Sequence, residues 1–266
     1  MSNARLCLLV VLVACGGTAE SPKPVTPSVK PAPPPAAPVT IELVRRPPVG
    51  TRWHEVRTYS RGQDAAMGPS VFAHHYHDEI EADVTVVEQS PEREVDELVV
   101  VRHESIVDNR PYPGVQKPGA RIRIDSTMKD CGATDGAGAS LDRDERQRIF
   151  SHLFDCQLQA ATDNDDDFFD TRTPHRVGET WSMSRATIAN MLGVSDARIT
   201  RATVTMASHD KGFLLTATYA VPAMGSSGTF RTVVPANGNL PLLEYDTDVV
   251  RETHERLRRT TIRTMH

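Results

Sequence analysis

Aromatic side chains make up only 5% of this 266-residue chain, which has two tryptophans and four cysteines. A core must therefore be built mainly from aliphatic residues. Neither sign of charge dominates: 30 Lys and Arg stand against 35 Asp and Glu, a formal net charge of −5. That leaves no basic excess to condense on a polyanion, so nucleic-acid binding is not expected. Long apolar runs are scarce too. The conspicuous one, residues 6–14 (LCLLVVLVA), spans 9 positions, whereas a membrane-crossing helix needs about 20. The remaining composition, 39% hydrophobic and 24% charged, is that of one or at most two ordinary globular domains.

What is present begins with a leader. Residues 1–5 carry one Arg, residues 6–14 are the apolar run, and Leu12-Val13-Ala14-Cys15 then meets Gly16-Gly17. A charged start, an apolar stretch and a small-residue cleavage site describe a signal peptide over residues 1–14. The last four residues resemble the lipobox of bacterial lipoproteins, in which the cysteine is diacylated and becomes the first residue of the mature chain. This resemblance implies lipidation at Cys15 through a thioether and anchorage by several acyl chains, each buried methylene contributing about 0.8 kcal/mol. Gly16 after the cysteine implies sorting to the outer membrane. Residues 15–40 then form a proline-rich stretch without aromatics. It is expected to be a semi-rigid polyproline tether of roughly 3.1 Å per residue.

With Cys7 in the leader and Cys15 lipidated, Cys131 and Cys156 are the only thiols of the mature chain. An even pair in an oxidising envelope compartment reads as a disulfide. Their separation is far from the C-x-x-C spacing of a metal pair or redox dithiol.

Residues 41–266 carry mostly strand patterns. One phrase occurs twice: Val49-Gly50-Thr51-Arg52-Trp53 and Val177-Gly178-Glu179-Thr180-Trp181. A duplication and a recurring local solution both account for it. Strands are expected near 51–60, 71–88, 94–107 and 120–126 after the first copy, and near 199–207, 212–221, 228–235, 240–249 and 254–265 after the second. Alternation is the reason: Ile80, Ala82, Val84 and Val86 form one apolar face, and Phe213, Leu215, Ala217, Tyr219 and Val221 another. Turns are expected at Gly62-Gln63-Asp64, Ser90-Pro91-Glu92, Asp210-Lys211-Gly212 and Asn237-Gly238-Asn239. Asp142, with Glu145 three residues on, caps a helix near 141–160 whose apolar side is Ile149, Phe150, Leu153, Phe154 and Leu158. A second helix is expected from Ser184 to Leu192. The fold class is α+β, mainly β: an antiparallel meander curling into an open half-barrel with one or two covering helices.

The order of these features, from G-x-x-W through Ser140-Leu141-Asp142-Arg143-Asp144-Glu145 and Pro174-His175-Arg176-Val177-Gly178-Glu179-Thr180-Trp181 to Gly238-Asn239-Leu240-Pro241-Leu242-Leu243, resembles uncharacterised lipoproteins of Gram-negative bacteria. A looser similarity is to the open β-barrel lipoprotein carriers of the LolA and LolB kind. The resemblance implies fold and an envelope location; it implies no site residues.

Motifs of chemistry are sparse. His54-Glu55, His103-Glu104 and His254-Glu255 all lack the second histidine of H-E-x-x-H. Gly225-Ser226-Ser227-Gly228 lacks the spacing of a nucleophile elbow, and Gly132 to Gly138 is followed by no phosphate-loop lysine. On a strand over 71–88, period two puts His75, His77 and Glu79 on one face, a set suited to zinc or copper, or simply solvated. The run Asp163 to Asp170 fails the calcium-loop template at Phe168 and Pro174 and reads as a solvated acidic loop. Arg256, Arg258, Arg259 and Arg263 read as an exposed strand edge or sheet face, with an anionic-partner patch as the sharper alternative. The chain is thus expected to be a non-catalytic envelope lipoprotein, without cofactor, that binds a partner or hydrophobic ligand on a concave β surface. Metal binding through the 74–79 cluster, or an enzyme with a scattered site, are the alternatives.

Overall fold

The computed structural model describes residues 37–266 apart from 42, 44–45, 68–69, 113–115, 128–130, 150–168, 172, 193–194, 196–197, 238–239 and 251–254. Twelve strands among the described residues form one antiparallel sheet. The first group is β1 (Arg52–Met67), β2 (Ser70–Gln89), β3 (Arg93–Val107), the two-residue β4 (Arg110–Pro111), β5 (Arg121–Thr127) and β6 (Cys131–Asp135). The second is β7 (Thr180–Ser182), β8 (Arg201–His209), β9 (Gly212–Val221), β10 (Ser226–Pro235), β11 (Glu244–Val250) and β12 (Arg256–Met265). Neighbouring strands run β6-β5-β3-β2-β1-β12-β11-β10-β9-β8-β7, with β4 on β3. The path does not close on itself, so the sheet is an open antiparallel meander, as its alternating pattern predicts.

Alternation decides which face is buried. Trp53, Ile80, Val84, Leu98 and Ile122 build one core with Ile149. Ile188, Val204, Met206, Leu215, Tyr219 and Val221 build a second with Phe169, Ile41 and Leu43. The chain carries helix α1 (Arg143–Arg148) between β6 and β7 and helix α2 (Arg185–Leu192) between β7 and β8. Asp142 caps α1 by accepting the Glu145 amide at 2.8 Å, which is the predicted cap. Ile149 then joins the first core, while Ile188 and Ala189 of α2 join the second. Phe150, Leu153, Phe154 and Leu158 lie outside the described residues.

The repeated phrase adopts one geometry twice. Gly50 and Gly178 have φ of +88° and +87°. Each is the third residue of a β-turn, closed by Thr51 N–H to Pro48 O at 3.0 Å and Glu179 N–H to Arg176 O at 2.9 Å. This is where a type II turn demands positive φ. Each glycine then donates to the next strand, Gly50 to Val86 O and Gly178 to Met206 O, both at 2.8 Å. Val86 and Met206 donate back to Thr51 O and Glu179 O. The following tryptophans sit in matching register, Trp53 opposite Val84 and Trp181 opposite Val204. Each half of the sheet is started by the same backbone device.

Three expectations are corrected. No turn occurs at Gly62-Gln63-Asp64: β1 continues to Met67, paired residue for residue from Gly62↔His75 to Met67↔Ser70. Gly62 serves the strand because a side chain there would press on His75, so its lack of a Cβ permits close packing rather than a reversal. Strand β11 starts at Glu244, because Pro241 lacks the N–H a ladder needs, while Leu243 donates to Val233 O and accepts from the Arg263 amide outside the ladder. Finally β12 is no edge, lying between β1 and β11. The reversal Asp108-Asn109, with φ of 48° and 63°, was not anticipated and suits the mirror-image hairpin turns that Asp and Asn tolerate.

The two glycine turns make matched predictions. A Cβ at Gly50 or Gly178 meets nothing within 4 Å, so Gly→Ala at either carries only the backbone cost of positive φ, about 1–2 kcal/mol. Urea unfolding should give nearly equal losses for Gly50→Ala and Gly178→Ala, and Gly→Asn should cost less at both. Unequal losses would refute the equivalence of the two turns.

Candidate functional site

Period two along β1 turns Trp53, Glu55, Arg57 and Tyr59 to the buried face, where a charged seam separates the two cores. Glu55 accepts from Arg57 Nε at 2.5 Å and Nη2 at 3.0 Å, from Arg263 Nε at 2.5 Å, and from the Trp53 indole at 3.2 Å. Arg263 also donates to Leu242 O at 2.6 Å and stands 5.8 Å from the Trp53 ring centroid. Burial by itself raises the pKa of Glu55, but the two guanidiniums outweigh it and hold the carboxyl at about 2. Nearby on β3, burial pushes Glu94 up to about 7 against the pull of Arg263 and Arg46. Asp96 is held well above the carboxylate range by burial, then by the charges of Glu94 and Glu55.

A second buried polar group lies along β2 and β3. Asp78 accepts from the Tyr76 hydroxyl, and His103 Nε2 faces Asp78 Oδ1 at 3.6 Å. His103 Nδ1 accepts the Gln116 amide at 2.9 Å, which assigns the ring proton to Nε2. Burial raises the pKa of Asp78, and the nearby His103, the hydrogen bond from Tyr76 and the neighbouring Ser105 more than offset it, leaving it below the usual carboxylate value. Ser105, His103 and Asp78 together have the residue types of a hydrolytic triad. With one imidazole nitrogen taken by Gln116 and the other facing Asp78, no base remains to accept a proton from Ser105. The group is buried. Its recognition needed the β2–β3 register, Asp78↔Ser105 and Ile80↔His103, which neither strand's own pattern reveals.

The predicted histidine face exists, and its members are drawn apart. His77 Nδ1 is 2.8 Å from Ser60 Oγ, Glu79 is ion-paired with Arg102, and His75 packs over Gly62. On the other face Tyr76 and Asp78 turn inward, while His74 Nδ1 meets Asp108 Oδ2 at 2.9 Å. No set of three His, Cys, Asp or Glu among the described residues is grouped as a metal site. Of the acidic run only Phe169, buried in the second core, and Asp170 are described. The C-terminal arginines divide: Arg263 is buried on Glu55, Arg259 stands 5.5 Å from the Tyr59 ring centroid, and Arg256 and Arg258 are exposed. Cys131 opens β6; Cys15 and Cys156 lie outside the described residues.

The concave surface expected to take a ligand is occupied near its predicted lining. Leu215 and Tyr219 are buried against Ile41, Leu43, Phe169 and Ile188 of the chain itself. Space opens elsewhere. Strands β1 and β2 outrun β12, whose first residue Arg256 pairs with Gly62, and outrun β3, whose last residue Val107 pairs with Tyr76. At this end of the sheet lies a groove of about 780 Å³ lined by Arg61, Arg256, Arg258, His75, His77 and Ser60, with Ile106 and Val250 as an apolar wall. No protein-family model matches the chain, and no curated protein matches it.

The buried carboxyls make stability depend on pH in both directions. Glu94, raised from 4.5 to about 7, contributes stability that is complete below pH 4.5 and lost as pH rises through 7. Glu55, lowered from 4.5 to about 2, contributes stability present above pH 4.5 and lost as pH falls towards 2. Urea midpoints should therefore peak in mild acid. Glu94→Gln should remove much of the decline between pH 5 and pH 8.5, on the order of 3 kcal/mol; an unchanged alkaline limb would sink this assignment.

Proposed function

We propose that this chain is a lipid-anchored cell-envelope protein whose β head binds a ligand or partner without catalysing a reaction on it. Diacylation of Cys15, the proline-rich tether and an outer-membrane location facing the periplasm or cell surface make up the anchoring half of this reading. The lipobox-like Leu12-Val13-Ala14-Cys15 supports it, as does the way the tether ends. Val39 pairs with His175 as an isolated bridge, and Ile41 and Leu43 are buried in the second core. Val39, Ile41 and Leu43 thus already belong to the head. A bridge between Cys131 and Cys156 belongs to the same oxidising location and would fasten the 150–168 segment to edge strand β6.

The observation that carries the binding half is the contrast between the two faces. The inner face around Leu215 and Tyr219 is filled by the chain's own side chains, whereas the groove at the end of β1 and β2 is open and lined by polar groups from three strands. The binding surface is accordingly this groove. A catalytic reading has less support: the Ser105-His103-Asp78 set lacks a free base, and no motif of a known reaction is present.

Two measurements check the anchoring half. Metabolic labelling with a radioactive fatty acid should mark the full chain in membranes, and Cys15→Ala should abolish the label and release the protein; label retained by that variant would exclude the anchor. Non-reducing peptide mapping should recover residues 131 and 156 in one cross-linked species, and Cys131→Ser should lower stability by roughly 3 kcal/mol.

A further inference from the structure

The groove combines features that seldom meet by chance on a chain of net negative charge. Three arginines and two histidines line it, drawn from β1, β2 and β12, and no carboxylate does so among the described residues. Each of these arginines has an acid beside it. Asp248 takes Arg256 Nε and Nη2 at 2.8 and 2.5 Å, Glu255 pairs with Arg61, and Asp246 is 3.5 Å from Arg258 Nε. A guanidinium has five N–H donors. Each arginine therefore keeps donors beyond its partner, and each partner fixes its arginine in place. The side chains of Arg61, Arg256 and Arg258 remain 47%, 64% and 57% exposed.

The other lining groups are also held. Ser60 fixes His77, and a Cβ at Gly62 would approach His75 Nδ1 to 3.1 Å, so the glycine makes room for that imidazole. Backbone N–H of His75 and His74 Nδ1 are both held by Asp108, which ties this stretch of β2 to the turn after β3. Donors preset on three strands suit a compact group with several acceptor oxygens, and planar guanidiniums match phosphate geometry especially well. Since each arginine already has a carboxylate neighbour, a monoanion gains little there, whereas a phosphate dianion offers charge and three acceptor oxygens at once. The space, about 780 Å³, exceeds what inorganic phosphate alone fills, and Ile106 and Val250 present an apolar wall for the rest of a ligand.

We propose that this groove binds a phosphate monoester carrying an apolar group, with Arg256 and Arg258 holding the phosphate. The proposal deepens the binding half of the reading above and rests on it, but it is independent of the anchor. A phosphorylated lipid headgroup and a free phosphorylated metabolite share this chemistry, and the test separates them.

Isothermal titration of the detergent-solubilised full chain would use three probes: dihexanoyl phosphatidic acid below its micelle concentration, dihexanoyl phosphatidylcholine, and inorganic pyrophosphate. Phosphatidic acid should bind more tightly than phosphatidylcholine, and Arg256→Gln/Arg258→Gln should weaken it about tenfold or more, as losing charged hydrogen bonds requires. Arg258→Gln alone, which leaves the close Arg256–Asp248 pair intact, serves if the double variant fails to fold. Competition by pyrophosphate would support recognition of the phosphate alone and so a free metabolite; phosphatidic acid binding without that competition would support a lipid headgroup. Equal affinity for the two lipids, unchanged by the arginine substitutions, would overturn phosphate recognition while leaving a ligand-binding head. Failure of every probe would overturn the proposal, whereas fatty-acid labelling of Cys15 would still report on the anchor.

Discussion

Glu55 and Arg263 stand 208 positions apart in the chain and 2.5 Å apart in the fold, and the rest of the sheet depends on their meeting. They join β1 to β12, the one ladder among the described residues that links the two groups of strands. A buried ion cluster of this kind adds little net stability, since desolvation offsets most of the attraction. Its effect is on register. Because side chains alternate across a strand, sliding β12 by one residue would turn Arg263 outward and leave Glu55 and Arg57 without it in a dry interior. Apolar residues alone would tolerate such slips more readily, since β12 offers Leu257, Ile262 and Met265 on no consistent face.

The sequence made the separate strands legible and the sheet's middle illegible for one reason. Period two reveals which residues of a strand share a face, as with Leu215, Ala217, Tyr219 and Val221, but not which strand lies beside it. Arg263 therefore looked like part of an exposed charged strand, although pairing with β1 buries it. The Asp78-His103-Ser105 group was hidden likewise, behind a register that includes a bulge between Glu81 and Ala82. Gly62 misled in the opposite direction. A glycine beside Gln and Asp has turn chemistry, and only its neighbour His75 explains its place in a strand. Where the signal was local it served well, as in the Asp142 cap and the histidine face of β2.

The twin glycine turns bear on how the sheet came to be open. Each half starts from a positive-φ glycine, a tryptophan two residues along the strand from the same hydrogen-bond pair, and a core joined by its own helix. Two such halves placed side by side can share only one seam, β1 with β12, and leave β6 and β7 as edges. The chain from β6 to β7 carries α1, and α2 follows β7, so each core receives its helix next to an edge strand. An open sheet then needs its mouth filled, and residues near Ile41 and Phe169 contribute that filling on the second core. An interior occupied by the chain itself moves any recognition outward.

The groove's composition ties recognition back to the seam. Arg61, His75 and His77 come from the first pair of strands, whereas Arg256 and Arg258 come from the last. No half of the sheet holds the complete set of donors, so the site exists only when β1 and β12 are paired in the register that Glu55 and Arg263 enforce. A ligand that bridges both sets binds the folded chain and not the unfolded one, and its binding free energy adds directly to stability. The two ends of one ladder thus divide the work. Buried charges near Trp53 select the alignment, and the same alignment near Gly62 puts Arg256 and Arg258 on one face with His75 and His77.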